Sequence, residues 1–552
     1  MARAATVLLL AAVAAGAGAH FLAQPGPAAR AVVSRYVRAW SRHDYLAMWE
    51  LLSPASRRRI GSAQFATALA DAARTATATV LEPRKLLTIS GSLARERFVV
   101  STSIFGTLHE VAALPLTGGG AQTRIVFGPS ILFPGLEPNE TLTRRSRLPP
   151  RGSLLAANGQ VLAQGSALTS PIPAVAGAIV GALEPPPAGQ AAQFAAAGYP
   201  PHARVGVSGL EQVFQAPLAG RPGGVLRAGA RVLARARPQP GSNVRTSIEP
   251  TLESDTVAVL AGRYGGITVM NPRTGAVEAA AGIAWGDIQP PGSTFKIITA
   301  SAALTAGITT PATVYPVHSS IVIDGFRLHN AAGERCGGTL LNAFAVSCDT
   351  TFAPLGVTLG APRLVAMARR YGFDRATGIP GVTRSVIPAA TQIGDAVAVG
   401  ASAIGQGRVQ ATTLEMADAA ATIADGGLRP LPTMRYGAAP RYERVVSPKV
   451  AGEVQSMMEA VVSYGTGTSA QIPGVTVAGK TGTAELRDTA GRANAAKYTD
   501  SWFVAYAPVG APRVVVCALF PGQGYGAQTA APAVKALIED ALAQPASTTA
   551  GG

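Results

Sequence analysis

The chain reads as a multidomain α+β protein, and three observations carry that reading. Its 552 residues exceed one ordinary domain and point to two to four. Its hydrophobic share, 48%, is ample for packed cores. From about residue 246 onward, strand-like runs at both ends enclose long helical stretches, the layout of a domain that closes its sheet with C-terminal strands.

The elements follow in order. "MARAATVLLLAAVAAGAGAHFLA" has Arg3 and then a near-continuous apolar run from Ala4 to Ala19. That length lies between a signal-peptide core and a membrane span of about 20 residues, so residues 1–24 are read as a membrane anchor or signal segment. Ala17, Gly18 and Ala19 offer a cleavage site, and either form argues for export. No later stretch is apolar for long enough to span a bilayer. Two amphipathic helices are predicted next, one lined by Val33, Tyr36, Val37 and Trp40, the other by Tyr45, Met48, Trp49 and Leu52. The turn "SRHD" separates them. Strand-like runs in "ERFVVSTSIFGTLHEVAALPL" and "TRIVFG" complete a small α+β module over 27–135. "PSILFPGLEPNETLTRRSRLPPRG" reads as a Pro-punctuated linker, and 140–245 as a β-rich, Gly/Pro-rich block. The last large domain spans 246–545. It opens on a hairpin turning at "NPRTG" and ends with strands "SWFVAYAP" and "PRVVVCALF" and the helix of "APAVKALIEDALAQ". The small polar tail 546–552 is expected to be disordered.

Composition removes several function classes. The net charge of +16 comes mostly from scattered Arg, with runs only at "SRRRI" and "TRRSR" and no zinc-finger, RNA-recognition or basic-zipper pattern, so nucleic acid is not expected as a partner. A solvated basic surface, or one facing anionic envelope polymers, fits the charge. Six histidines form no ligand-spaced cluster, so no metal and no cofactor is expected. Three cysteines make no disulfide scaffold. Cys517 lies in a strand pattern and reads as a core hydrophobe; Cys336 and Cys348 could pair in an exported chain, and spacing alone leaves that open.

The chemistry concentrates in three short stretches. In "QPPGSTFKIITASAALTAG" a Pro-Pro-Gly break lets a helix begin at or beside Ser293. Lys296 then lies one turn on and on the same face. A serine hydroxyl needs a base to become a nucleophile, and a lysine partly desolvated among Phe295, Ile297 and Ile298 can serve once its pKa falls. The helix N-terminus also offers backbone N–H to a developing oxyanion. Alone, S-x-x-K is usually a cap and a surface lysine. "AVSCDTTF" adds Ser347 and Asp349, and "VAGKTGTAE" adds Lys480, Thr481, Gly482 and Thr483, a pattern suited to an edge strand approached by substrate backbone. Together they make the S-x-x-K, S-x-[ND], K-T-G set of the class A β-lactamases and penicillin-binding proteins.

The chain thus resembles the class B penicillin-binding proteins, the monofunctional D,D-transpeptidases. "PPRGSLLAANGQVLA" and "GVSGLEQVFQAPLAGRPGG" resemble that family's non-catalytic pedestal, and "AIGQGRVQATTLEMADAAATIADGG" a helical stretch of its transpeptidase domain. The module at 27–135 resembles the nuclear-transport-factor-like domain of methicillin-resistance-type members. The resemblance implies a C-terminal α/β sandwich of the transpeptidase and serine β-lactamase type. It also implies roles. Ser293 is the nucleophile, Lys296 the acylation base and Ser347 the proton shuttle; Lys480, Thr481 and Thr483 hold the substrate carboxylate, with Gly482 between them. Backbone N–H groups of Ser293 and Thr483 form the oxyanion hole. Peptidoglycan stem peptides on a lipid-linked precursor polymer are the implied substrates, β-lactams the inhibitors and a membrane glycosyltransferase the partner. The implied location is the cell membrane, with the catalytic domain extracytoplasmic. D,D-carboxypeptidase activity and a catalytically weak scaffold are the alternatives. The family usually has Asn where Asp349 stands, and an ionised carboxylate accepts hydrogen bonds but cannot donate them.

Overall fold

In the computed structural model residues 26–485 and 495–544 are described; the segment read at 1–24 and the tail at 546–552 lie outside them. The chain forms two compact units, both discontinuous in sequence. The first holds residues up to Pro150 together with 185–204 and 220–241; the second holds 151–184, 205–219 and the chain from Ser242 on. The block read as 140–245 is therefore shared between them.

The first unit opens with α1 (Pro27–Ser41), whose first-turn proline lacks only an N–H that no helix uses there. Its buried stripe is Val33, Tyr36, Val37 and Trp40, as the periodicity predicts. His43 at φ 58° turns the chain, and Asp44 caps α2 (Tyr45–Glu50) by accepting from the Ala47 N–H. Two further helices, α3 (Pro54–Arg59) and α4 (Ser62–Ala76), were not expected. The buried residues of α4 are Phe65, Leu69, Ala72 and Ala76, half of them alanine, a stripe too small to stand out in the sequence. The helices share a core with an antiparallel sheet of β1 (Ala78–Ser90), β2 (Leu93–Thr102), β3 (Gly106–Thr117) and β4 (Arg124–Ile125), in that order. Pro83 hides β1 from a sequence reading. It is tolerated because β1 is an edge strand with register shifts beside the proline. The stretch read as a linker contains β5 (Leu142–Arg147), which pairs with β6 (Gly223–Ala228); β6 pairs in turn with β7 (Arg231–Ala236).

The second unit takes two small pieces from the middle of the chain. Arg151 of "PPRG" and Glu211 of "GLEQ", distant in sequence, form a buried ion pair there, with Nε donating to Oε2 over 2.8 Å. The elements that build its main sheet and site include, in order, α5 (Pro250–Leu260), β8 (Gly266–Met270), β9 (Val277–Gly282), α6 (Lys296–Thr305), β10 (Val314–His318), β11 (Cys336–Thr339), α7 (Leu340–Ala345) and α8 (Asp349–Leu359). Then come α9 (Thr413–Ala424), α10 (Pro448–Ser463), β12 (Ala478–Glu485), β13 (Thr499–Ala507), β14 (Val514–Phe520) and α11 (Ala530–Ala543). The hairpin β8–β9 turns where predicted, Asn271 Oδ1 accepting the N–H groups of Arg273 and Thr274.

Five strands form one antiparallel sheet, ordered β9-β8-β14-β13-β12. Both β13 and β14 are buried at every residue because helices cover both faces. On one side Leu252 of α5 and Val534, Leu537 and Ile538 of α11 pack with Phe503 and Val516. On the other, Ile298 of α6, Met416 of α9 and Met457 of α10 share a core with Trp502, Val504 and Tyr506. Cys517 is buried and unpaired, as its pattern predicts. The strand carrying Lys480, β12, lies at the sheet edge.

Among the described residues no single helix is long and apolar enough to cross a membrane.

Candidate active site

Ser293 lies in a 3-10 turn, Gly292–Phe295, that leads directly into α6. The helix proper thus begins at Lys296, three residues later than the sequence suggests. The turn is held from outside. Gly292 N–H donates to the Gly405 carbonyl over 2.9 Å, and Gln289 N–H to the Ala411 carbonyl over 3.0 Å. Gly292 has φ 52°, and a Cβ there would lie 2.9 Å from the Thr483 carbonyl, so glycine is what lets this turn approach β12. Gly482 serves the same approach from the strand side, since a Cβ on it would lie 2.8 Å from the Pro291 oxygen.

The other motif residues converge on the same place. Lys296 is fully buried; its Nζ donates to Asp349 Oδ1 over 2.6 Å and to the Ser347 carbonyl over 2.7 Å, with Ser347 Oγ at 3.4 Å. Ser347 has φ 60°, a left-handed conformation that is costly for a residue with a Cβ and is found where the surroundings impose it. Lys480 is also fully buried and donates to Ser347 Oγ over 2.8 Å, so the one hydroxyl lies between two lysines. No hydrogen bond reaches the Ser293 hydroxyl among the described residues.

Burial and neighbouring charge shift both amines. Burial pushes Lys296 below the ordinary lysine range, and the charge and hydrogen bond of Asp349 offset only part of that. Lys480 is pushed well below it, first by burial and then by the charge of Lys296. Asp349 and burial thus act on Lys296 in opposite directions, and burial is the larger cause. A neutral lysine has two N–H donors. In the neutral form of Lys296 those two would be met by Asp349 and the Ser347 carbonyl, leaving the nitrogen lone pair to accept a proton. Asp349 itself begins α8, where an acid is favoured by the helix dipole.

The sequence missed several supports. Thr466, in the loop after α10, places its Oγ1 2.6 Å from Thr481 Oγ1, and its N–H donates to the Ala345 carbonyl at the end of α7. Phe352 and Phe344 lie 5.5 and 5.4 Å below Lys296 and Lys480. Asn330 is buried and ties three segments together, accepting from Thr350 N–H and donating to the His318 and Glu334 carbonyls. None of these has a local signal, because each acts through a partner distant in sequence.

Residues 265–539 match the family model described as the penicillin binding protein transpeptidase domain. That part of the chain is similar to the penicillin-binding protein transpeptidases. The peptidoglycan D,D-transpeptidase PbpA of Mycobacterium tuberculosis is 36% identical over 288 residues, 46% of this chain and 55% of that protein. The chain thus spans about half the length of the curated relatives it matches. Penicillin-binding protein A from M. tuberculosis, solved as a penicillin G acyl-enzyme complex, superposes with TM-score 0.57 at 25% identity, covering 72% of this chain and 100% of that one. The D,D-transpeptidase domain of a peptidoglycan glycosyltransferase from Eggerthella lenta gives TM-score 0.57 at 26% identity, covering 72% and 99%.

The transpeptidase domain carries one covalent brace at its site. Cys336 of β11 and Cys348 form a disulfide with Cα atoms 5.7 Å apart, and Cys348 lies between Ser347 and Asp349. Since β11 pairs with β10, the bridge ties the motif loop to that small sheet. Replacing both cysteines by serine should lower stability by about 2–3 kcal/mol, from the short loop it closes. It should also slow acylation. Denaturant unfolding and a β-lactam labelling time course measure the two effects. Unchanged labelling would show that packing and Asn330 alone position Ser347.

Proposed function

We propose that this chain is a class B, PbpA-like serine D,D-transpeptidase of peptidoglycan that β-lactams acylate. The observation that carries it is the convergence of Lys296, Ser347, Asp349 and Lys480 beside the Ser293 turn, in a domain similar to the penicillin-binding protein transpeptidases. Ser293 Oγ attacks the carbonyl between the two terminal D-alanines of a stem peptide while neutral Lys296 takes its proton. Backbone N–H groups of Ser293 and Thr483 stabilise the oxyanion. As the C–N bond breaks, Ser347 gives its proton to the departing D-alanine amine and takes back the one that Lys296 received from Ser293. Lys480, Thr481 and Thr483 hold the substrate carboxylate. An acceptor amine then resolves the acyl-enzyme into a crosslink. The helices α1–α4 followed by the sheet β1–β4 support a nuclear-transport-factor-like module of the methicillin-resistance type at 27–135. The buried Arg151–Glu211 pair, joining "PPRG" to "GLEQ", supports the pedestal reading of 140–245. The segment 1–24 is the proposed membrane anchor, and a membrane glycosyltransferase the proposed partner.

The test is to incubate the full chain with labelled penicillin and locate the adduct by mass spectrometry. A stoichiometric adduct on the Ser293 peptide is expected; an adduct confined to any other serine would end the proposal.

Asp349 gives a pH-resolved prediction. Acylation needs neutral Lys296, so its rate rises as pH climbs through the lysine's pKa. The carboxylate of Asp349 raises that pKa, and Asp349→Asn removes the charge while its amide oxygen still accepts from Lys296. The rising limb should therefore move to lower pH, about tenfold in rate on the acid side for each unit moved, with the plateau kept. An unshifted limb would show that Asp349 does not govern the base.

A further inference from the structure

The basic charge of this protein is concentrated in one of its two units. Over 26–150, 185–204 and 220–241 the first unit carries 22 Lys and Arg against 8 Asp and Glu; the second unit's ranges carry 24 against 23. Within the first unit the sheet β7-β6-β5 orders part of this excess. Leu226 and Ala228 of β6 point into the core. Arg144 of β5 reaches the backbone carbonyls of Arg74 and Ala195. Alternation places the remaining arginines on the other face. Arg145 and Arg235 both stand opposite Val225, one on each side; Arg147 stands opposite Gly223, and Arg227 lies two residues on from Val225. Arg145, Arg147 and Arg235 are exposed and Arg227 is half-buried.

Strand spacing puts Arg145 and Arg235 about 10 Å apart and Arg145 and Arg147 about 7 Å apart. No Asp or Glu occurs in these three strands, and the nearby Glu137 and Glu140 are engaged by Arg231. Among the described residues none of the four arginines forms an ion pair. Like charges set side by side on a sheet are unfavourable for folding, so a flat cationic grid of this kind fits an anionic counterpart. The face has Val225 and Thr143 between the arginines and no aromatic ring on which a nucleobase could stack. The apolar run ends at Ala19 and α1 begins at Pro27; the intervening residues reach about 25 Å, which keeps this unit close to any bilayer the run enters.

We propose that the outer face of β7-β6-β5, through Arg145, Arg147, Arg227 and Arg235, docks on the anionic phospholipid headgroups of a membrane surface. The contact is with phosphate charge, not with the hydrocarbon, and so it is screened by salt. It sits apart in sequence from every motif residue and leaves acylation untouched.

The experiment compares flotation of the full chain on phosphatidylcholine vesicles with flotation on equal parts phosphatidylcholine and phosphatidylglycerol. The apolar segment contributes to both, so the ratio isolates the headgroup term. Wild type should favour the anionic vesicles, and high salt should remove the preference. Arg145→Gln/Arg235→Gln should lower the ratio roughly 30-fold, about fivefold per arginine, while Arg145→Lys/Arg235→Lys keeps it. Penicillin labelling at Ser293 should be equal in all three proteins, which shows that each is folded. Equal partition of wild type onto both vesicle types would overturn the proposal, as would a glutamine variant with the wild-type ratio. Binding of a soluble poly(glycerol phosphate) that needs the four arginines, without any vesicle preference, would also overturn it and reassign the face to a soluble polymer.

Discussion

Ser293→Ala will abolish covalent labelling by penicillin while leaving the unfolding transition of the protein in place. The serine is nearly buried, with its hydroxyl at the mouth of a turn whose neighbours are all occupied: Gly292 by Gly405, Lys296 by Asp349 and Ser347, and Ser347 by Lys480. Removing one oxygen from a group that makes no hydrogen bond should change stability by well under the 1 kcal/mol typical of a lost bond. Ser347 Oγ accepts from Lys480 and Thr481 Oγ1 is bonded to Thr466 Oγ1, so both hydroxyls are engaged within the site. Intact-mass spectrometry after incubation with a β-lactam reads the outcome directly. Residual stoichiometric labelling of the alanine variant would mean that the nucleophile is elsewhere.

The second large effect is expected from Lys296→Met, which keeps the length of the side chain and removes the base. Loss of a positioned general base costs roughly 10²–10⁴ in rate, and the fall should appear in the acylation step rather than in binding of the β-lactam. The substitution has a second consequence. Asp349 is only 8% exposed and would lose its cationic partner, and breaking such a pair destabilises by about 3–5 kcal/mol. Lys296→Met/Asp349→Asn separates the two. It removes both charges, so stability should recover most of that loss while acylation stays as slow as in the single variant. A double variant that regained wild-type acylation would show that Lys296 is needed for structure and not as the base.

What the sequence determined by itself is mostly local. The three motifs, the edge-strand character of "VAGKTGTAE", the hairpin at "NPRTG" and the buried strands around Trp502 and Cys517 follow from residue type and spacing, and the structure brings all three motifs into one place. The first helices followed for the same reason, a stripe of large apolar residues at helical period. Where that signal was weak, in the alanine-rich α4, or contradicted, by Pro83 in β1, only packing decided, because alanine buries little area and an edge strand can omit one hydrogen bond. The tertiary structure alone decided three further things. It closed the Cys336–Cys348 bridge, since pairing depends on Cα separation and not on spacing along the chain. It turned the start of the Ser293 helix into a 3-10 turn, because β12 and the Gly405 loop must both approach it. And it set the direction in which the base is shifted: Lys296 is completely enclosed, and burial lowers its pKa by more than the carboxylate beside it raises it.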